Sequence, residues 1–308
     1  MDLKQSIINY SKQIGIDLIG FTDSKVNDDL ILRLKQKEQL NFLCSFENYS
    51  IEEKTNPALI MDDVKTIMVV GLSYPKTCNR LKQIRKEAVY FGNCSWGEDY
   101  HRVLRRKLNR LASYIKNSTP NFTYQIVVDT SPLDERYFAY QSGLGFYGKN
   151  GLLINQEYGS YFFIGLLLTN LELKKDKPLN KGCLGCNICL AKCPTQALNE
   201  TGLLNSKRCL SYITQKRGVL TDWEKRMMNN CIYGCDICQR CCPYNKEINS
   251  LSNKEFIPSD LEFINALEYQ PLSNKEFKTQ YGLLTGSWRG KKIIERNIRI
   301  YKEKYYYK

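Results

Sequence analysis

Cysteines carry the densest chemistry in this sequence. Cys183, Cys186, Cys189 and Cys193 fall in "GCLGCNICLAKCPTQAL", a C-x2-C-x2-C-x3-C-P run. Thiolates at that spacing can wrap one face of a four-iron cube, and the fourth, carried off by the turn at Pro194, reaches a second cube. A second run, Cys235, Cys238, Cys242 and Pro243, reads C-x2-C-x3-C-P and is one cysteine short. Cys209, in "KRCLSYITQ", is the natural replacement. The two-cluster rule then assigns Cys183, Cys186, Cys189 and Cys242 to one 4Fe–4S cluster. It assigns Cys209, Cys235, Cys238 and Cys193 to the other. Structural zinc is the alternative, but zinc pairs stand as C-x2-C separated by a long spacer. Cys241 competes with its neighbour Cys242, and the proline spacing favours Cys242. Cys44, Cys78, Cys94 and Cys231 read as small buried apolar residues.

The rest of the composition narrows the setting. The 308 residues carry a net charge of +13, thirteen cysteines and one histidine, His101. A mixed cysteine–histidine zinc finger therefore has almost nothing to work with. The start, "MDLKQSIINYSKQ", has no apolar segment and no twin arginine, so no export signal is read. No membrane span is expected, because the longest apolar run falls far short of the roughly 20 residues a transmembrane helix needs. The expected place is the cytoplasm, where thiols stay reduced. A basic balance of this size suits a polyanionic partner such as nucleic acid, or a lysine-rich surface with no such meaning.

Two adjacent clusters form an electron wire, and something must be reduced at its end. The residues up to 170 read as alternating helix and strand. Helical spacing appears in "LKQSIINYSKQIG" and "EDYHRVLRRKLNRLASYIKN"; strands appear in "IDLIGFTD", "VKTIMVVGLSY", "NFTYQIVVDTSP" and "GSYFFIGLLLTN". A lysine-rich stretch at 171–181 marks a boundary. After about 250 the chain is helical and polar, ending in a basic amphipathic helix with eight basic residues against two acidic ones from Arg289 onward.

Several motifs together resemble the epoxyqueuosine reductase family: the cysteine runs, "VVDTSPLDERYFAYQSGLGFYGKNGLLI", "GSYFFIGLLLTN", "RCLSYITQ" and "IYGCDICQRCCPYN". The likeness runs from about residue 3 to 300. It implies an α+β or α/β fold in three parts. These are a cobalamin-binding α/β catalytic domain (1–175), a bacterial-type two-cluster ferredoxin-like domain (176–250) and a short helical basic C-terminal segment (251–308). Family members usually continue into a helical-repeat domain, of which this sequence carries about one helix. The resemblance implies reduction of the epoxide of epoxyqueuosine at tRNA position 34, the last step of queuosine synthesis. Base-off cobalamin would do this, fed through two 4Fe–4S clusters by an external low-potential donor of flavodoxin or ferredoxin type.

The resemblance also distributes roles. Asp129, at a strand end, matches the family's catalytic acid; read alone, it could equally cap the turn through Thr130 and Ser131. An acid at neutral pH requires a raised carboxyl pKa. Lys54, Arg136 and Lys149 fall at the cofactor edge, and Gly143, Gly145 and Gly148 would let backbone approach a large ligand. Ser211 and Asp236 stand between the second cluster and the corrin. His101 reads as substrate-side or structural, not as a cobalt ligand. Lys216, Arg217, Arg240, Arg289 and the end helix are the candidates for tRNA phosphates. A corrinoid reductive dehalogenase or a simple electron carrier are the competing functions.

Overall fold

The computed structural model describes residues 2–26, 28–248 and 253–306. The apolar run Thr66–Ser73 forms a strand buried along its whole length. Side chains alternate across a strand, so such a run needs cover on both faces. Met68, Val70 and Leu72 join one core with the helices Leu3–Gln13 and Tyr100–Ser118. Ile67 and Val69 join a second with the helices Asp28–Gln39 and Glu135–Gln141. The sheet between them has the order Leu18–Asp23, Thr66–Ser73, Phe162–Thr169, Tyr124–Val127. The expected alternation of helix and strand is present, but all three pairings are antiparallel. Of the two fold classes expected, this layer is therefore α+β. Periodicity identifies an element's type and carries no information on which neighbour it pairs with.

A second sheet places Ala88–Phe91 between Cys231–Tyr233, parallel, and Phe263–Asn265, antiparallel. It takes one strand from each of the three expected segments, so the first domain, the cysteine-rich region and the C-terminal segment meet in one sheet. The final helix, Lys291–Tyr305, buries Ile294, Ile298 and Tyr301 in the core behind that sheet. Its cations work largely as anchors. Arg296 donates to the carbonyls of Lys216 (2.8 Å) and Gly218 (2.9 Å), and Lys304 to those of Arg226 (2.7 Å) and Met228 (2.8 Å). Only its outer face, with Lys292 and Arg299, is exposed. Buried Asn297 donates to the carbonyls of Thr214 and Ile232, each at 2.7 Å. Among the described residues no helix is long and apolar enough to cross a membrane.

Candidate active site

The site is built where the helix Tyr100–Ser118 starts against the end of the strand Tyr124–Val127. Gly97 turns the chain with φ +67°; a Cβ there would lie 2.2 Å from the Glu255 carbonyl oxygen. Asp99 then caps the helix, accepting the His101 N–H at 3.0 Å, and also holds His101 Nδ1 at 2.6 Å. The Tyr100 ring stacks between His101 (4.0 Å) and Phe163 (4.2 Å). Asp129 adopts φ +47°, in the left-handed region that a non-glycine residue enters at a cost. That turn aims its backbone N–H at Glu135 Oε1 (2.5 Å) and its side chain at the helix start. Asp129 Oδ2 accepts the Tyr100 hydroxyl at 2.6 Å and lies 3.8 Å from His101 Nε2.

These contacts decide where protons reside. Burial pushes the Asp129 carboxyl up, but the hydrogen bonds from His101 and Tyr100 outweigh it and hold it below the ordinary carboxylate value. The sequence reading asked for a raised carboxyl; the structure lowers it, because the lone histidine lies beside it. Burial pulls His101 down, but its bonds to Asp129 and Asp99 raise it to about 9. Burial, then the Asp129 charge, raises Glu135 to about 8. At neutral pH the group therefore contains an ionised Asp129 beside two proton carriers, His101 and Glu135. The Asp129 side chain is 68% exposed although burial weighs on it, as befits a group on the wall of a recess.

The residues expected at the cofactor edge divide. Arg136 donates to the Gly151 carbonyl at 3.1 Å, and its charge is felt by both Asp129 and the Cys209 thiol. It therefore stands between the recess and the cysteine-rich region. Lys54 adjoins the start of the same helix through its carbonyl, which accepts the Asp134 N–H at 3.1 Å. The Lys54 ammonium is buried without a hydrogen-bond partner, as are Asn150 Nδ2 and Arg289 Nε. Orphaned donors of this kind suit a ligand rich in acceptors, such as the amides of a corrin. Lys149 belongs elsewhere: its N–H donates to Cys183 Sγ (3.2 Å) and its ammonium to Asn187 (2.6 Å). Ser211 accepts from the Gln215 amide at 3.2 Å. Asp236, 3% exposed, accepts from the Asn93 N–H (3.0 Å) and Arg240 (3.1 Å), bracing two segments. The glycines Gly143, Gly145 and Gly148 serve packing, since a Cβ on each would meet protein atoms at 2.7, 2.8 and 2.6 Å.

Among the described residues no three cysteines stand close enough to hold a metal ion as they are, but the two expected sets of four are neighbours. The helices Ile188–Lys192 and Ile237–Arg240, one from each run, pack together. Burial dominates around Cys235 and Cys238, and both have Cys193 and Cys209 as electrostatic neighbours. Around Cys189 the neighbours after burial are Cys183, Cys242 and Cys186. Cys242 has Cys183 and Cys186 as neighbours; Cys241 lies near Cys189 and Cys186, with its thiol toward the Cys238 carbonyl at 3.6 Å. All thirteen cysteines are free. Eight free thiols in two sets, carried by runs spaced x2-x2-x3-Pro and x2-x3-Pro, have the donor chemistry of iron–sulfur ligation. The Ala197 N–H donates to Cys193 Sγ at 3.4 Å, a contact that tunes cluster potential.

An aromatic wall that sequence reasoning missed lies beside the recess. The Arg289 guanidinium covers Phe46 (4.2 Å) and Trp288 (3.9 Å), and Phe46 meets Tyr212 edge-on at 5.1 Å. Trp288, 56% exposed, donates its indole N–H to Tyr233 Oη at 2.8 Å. The Tyr233 phenol feels the charges of Asp129 and Asp99, which ties the wall to the recess. Arg217 is exposed next to Arg289. Lys216 is paired with Glu224 (2.5 Å), and Arg240 with Asp236 and the Tyr90 hydroxyl (3.0 Å), so these two cations are engaged inside the protein. An exposed Trp followed by Arg was the one available signal; Phe46 and Tyr212 gave none. A separate cavity of about 310 Å³, lined by Lys76, Tyr161, Arg240 and Lys246, contains none of the Asp129 group.

Comparison with known proteins follows the same lines. Residues 54–130 match the family described as "Epoxyqueuosine reductase QueG, DUF1730", and residues 182–245 match the "4Fe-4S double cluster binding domain". The epoxyqueuosine reductase of Lactococcus garvieae is 43% identical over 301 residues, covering 96% of this chain and 85% of that protein. That of Bacillus subtilis is 40% identical, covering 96% of this chain and 77% of its own length. The solved epoxyqueuosine reductase from Streptococcus thermophilus superposes with a TM-score of 0.92 at 40% identity, covering 98% of this chain and 81% of that one. An epoxyqueuosine reductase solved with an epoxyqueuosine-modified tRNA-Tyr stem loop gives 0.93 at 38% identity, covering 97% and 80%.

Proposed function

The chain belongs to the epoxyqueuosine reductase family, and from that premise we propose that it reduces the epoxide of epoxyqueuosine at tRNA position 34 to queuosine, with cobalamin as the reacting cofactor. The observation that carries this reading is the convergence on one recess of a proton store and an electron route. His101, Glu135 and Asp129 form the store, and Arg136, which donates to the Gly151 carbonyl, lies within electrostatic range of both Asp129 and the Cys209 thiol.

Deoxygenating an epoxide consumes two electrons and two protons and releases water. Cobalamin, when bound, supplies a low-valent cobalt nucleophile able to attack an epoxide carbon. Lys54, Arg136 and Asn150 are the residues that would hold it. Both ring nitrogens of His101 face carboxylates, so the imidazole is a proton carrier rather than a metal ligand. Asp129, fixed by the Tyr100 hydroxyl and 68% exposed, stands between the Nε2 of that imidazolium and the open recess. The pair, not the carboxyl alone, is the acid that protonates the oxygen as the ring opens. Glu135, one backbone contact away, supplies the second proton.

Cys183, Cys186, Cys189 and Cys242 would ligate one 4Fe–4S cluster, and Cys193, Cys209, Cys235 and Cys238 the other. An external low-potential donor reduces the outer cluster. Trp288, Phe46 and Tyr212 offer faces on which splayed anticodon bases stack, and Arg217 and Arg289 meet phosphate. The proposed setting is the reducing cytoplasm, where thiols and low-potential clusters persist. Family membership disfavours the dehalogenase and simple-carrier readings.

The test is anaerobic turnover of epoxyqueuosine tRNA by protein reconstituted with iron and sulfide, with and without cobalamin. Queuosine should form only with cobalamin. Equal yield without it would remove cobalamin, and no queuosine in either would remove the reaction.

A further inference from the structure

We infer that the loop and helix spanning residues 181–192 form the docking surface for a small, acidic, one-electron carrier protein. The inference rests on the two-cluster reading above. The segments that carry the two quartets differ in exposure. Cys183 and Cys186 lie in a loop whose other residues are exposed, and a Cβ on Gly182 or Gly185 would meet nothing within 4 Å. In the inner quartet, Cys209 and Cys235 are followed by Leu210 and Asp236, at 2% and 3% exposure. An electron arriving from outside reaches the Cys183 quartet first and leaves through the quartet beside Arg136.

The chemistry of that outer surface is specific. Leu184, between Cys183 and Cys186, is 67% exposed, and Ile188, next to Cys189, is 39% exposed, an apolar pair interleaved with the thiols of this run. Cations surround them. Lys181 and Lys192 are exposed at the two ends, and Lys149 is held beside the helix by its 2.6 Å bond to Asn187. From Lys177 to Asn199 the sequence holds no acidic residue. An apolar centre with a charged rim of one sign is the anatomy of a transient protein interface, and its complement is a carrier with an acidic rim around its redox group. Each encounter moves one electron: the carrier is oxidised by one, and the outer cluster is reduced by one. Two encounters deliver the two electrons of one turnover.

The probe is an acidic flavodoxin in its hydroquinone form, mixed anaerobically with the cluster-loaded protein while the cluster absorbance is followed. Dithionite, which needs no docking, is the parallel reductant. Reduction by flavodoxin should slow steeply with added salt. Leu184→Glu, and separately the pair Lys181→Glu and Lys192→Glu, should lower its second-order rate by about tenfold or more, with iron content and dithionite bleaching unchanged. Unchanged flavodoxin rates in both variants would overturn the docking surface alone. So would a wild type that dithionite bleaches but neither flavodoxin nor an acidic ferredoxin reduces. Absence of bleaching by dithionite would overturn the cluster reading, and this inference with it.

Discussion

At Asp129 three atoms decide the chemistry: the Tyr100 hydroxyl at 2.6 Å, His101 Nε2 at 3.8 Å and the Glu135 carboxyl on its own N–H. Asn is nearly isosteric with Asp and tolerates the left-handed backbone, so Asp129→Asn should leave the fold and both clusters intact. It removes the charge that orients His101 and keeps it protonated. Single-turnover reduction of epoxyqueuosine tRNA should fall by roughly 10²–10⁴-fold, the usual worth of a positioned acid. A ratio near one would leave Asp129 as a turn cap. The pH profile separates the two cases further. His101 and Glu135 are raised in the folded protein, to about 9 and about 8, so the protonated forms persist through neutrality and are lost as pH rises through those values. Wild-type rate should decline on that alkaline limb, and in Asp129→Asn the limb should move to lower pH. The same sign governs stability. The folded state holds protons that the unfolded chain releases at 6.5 and 4.5, so both groups favour folding less as pH rises toward 9. Tm should drop between pH 6 and pH 9.

The elements show why the basic end helix is poorly placed to be a free phosphate binder. Lys291–Tyr305 is a structural brace, with Asn297 at its centre. Asn297 holds the Thr214 carbonyl on the helix that follows Cys209 and the Ile232 carbonyl on the strand that precedes Cys235. Thr214 in turn accepts the Gly234 N–H at 3.0 Å through its hydroxyl. One side chain thus ties together the segments that carry Cys209 and Cys235. Asn297→Ala removes the donor of the Ile232 carbonyl and leaves Thr214 with only the 3.5 Å bond from Arg296, at a cost of about 1–3 kcal/mol for an unsatisfied buried carbonyl. Thermal stability should fall accordingly, and the iron lost on mild chelation should come from the inner cluster first. Equal loss from both clusters would separate Asn297 from cluster retention.

Over the whole molecule, two quartets imply about eight irons and eight labile sulfides per chain. With the last ligands exchanged between the runs as proposed, Cys193→Ser should perturb the spectroscopic signal of the cluster assigned to Cys235, although Cys193 lies in the other run. Cys242→Ser should perturb the cluster held by Cys183. Damage confined to each run's own cluster would overturn the crossed pairing. The charge of +13 has a matching consequence. Arg217 is exposed beside the aromatic wall, so Arg217→Ala should lower the log–log salt slope of tRNA binding by about 0.7–0.9, one phosphate's worth. Removing Lys292 and Arg299 from the outer face of the end helix should leave that slope unchanged.

The sequence by itself determined what depends on spacing along the chain. The x2-x2-x3-Pro pattern assigned Cys193 and Cys242 to the opposite runs, an assignment the serine variants above test. The buried strand Thr66–Ser73 and the long helix after Asp99 were legible for the same reason, since a local hydrophobic period reports a local backbone. Asp129 came from a local motif as well. Only the tertiary structure decided the protonation of that site, because His101 lies 28 positions before Asp129 and reaches it across a sheet edge. It also decided which cations are free. Lys216 and Arg240 look like Arg217 in one dimension, but Glu224 and Asp236 neutralise them in three. The antiparallel order of the sheet and the wall of Phe46, Tyr212 and Trp288 belong to the same class: they join residues far apart in the chain, and no local period encodes which distant residues a fold will bring together.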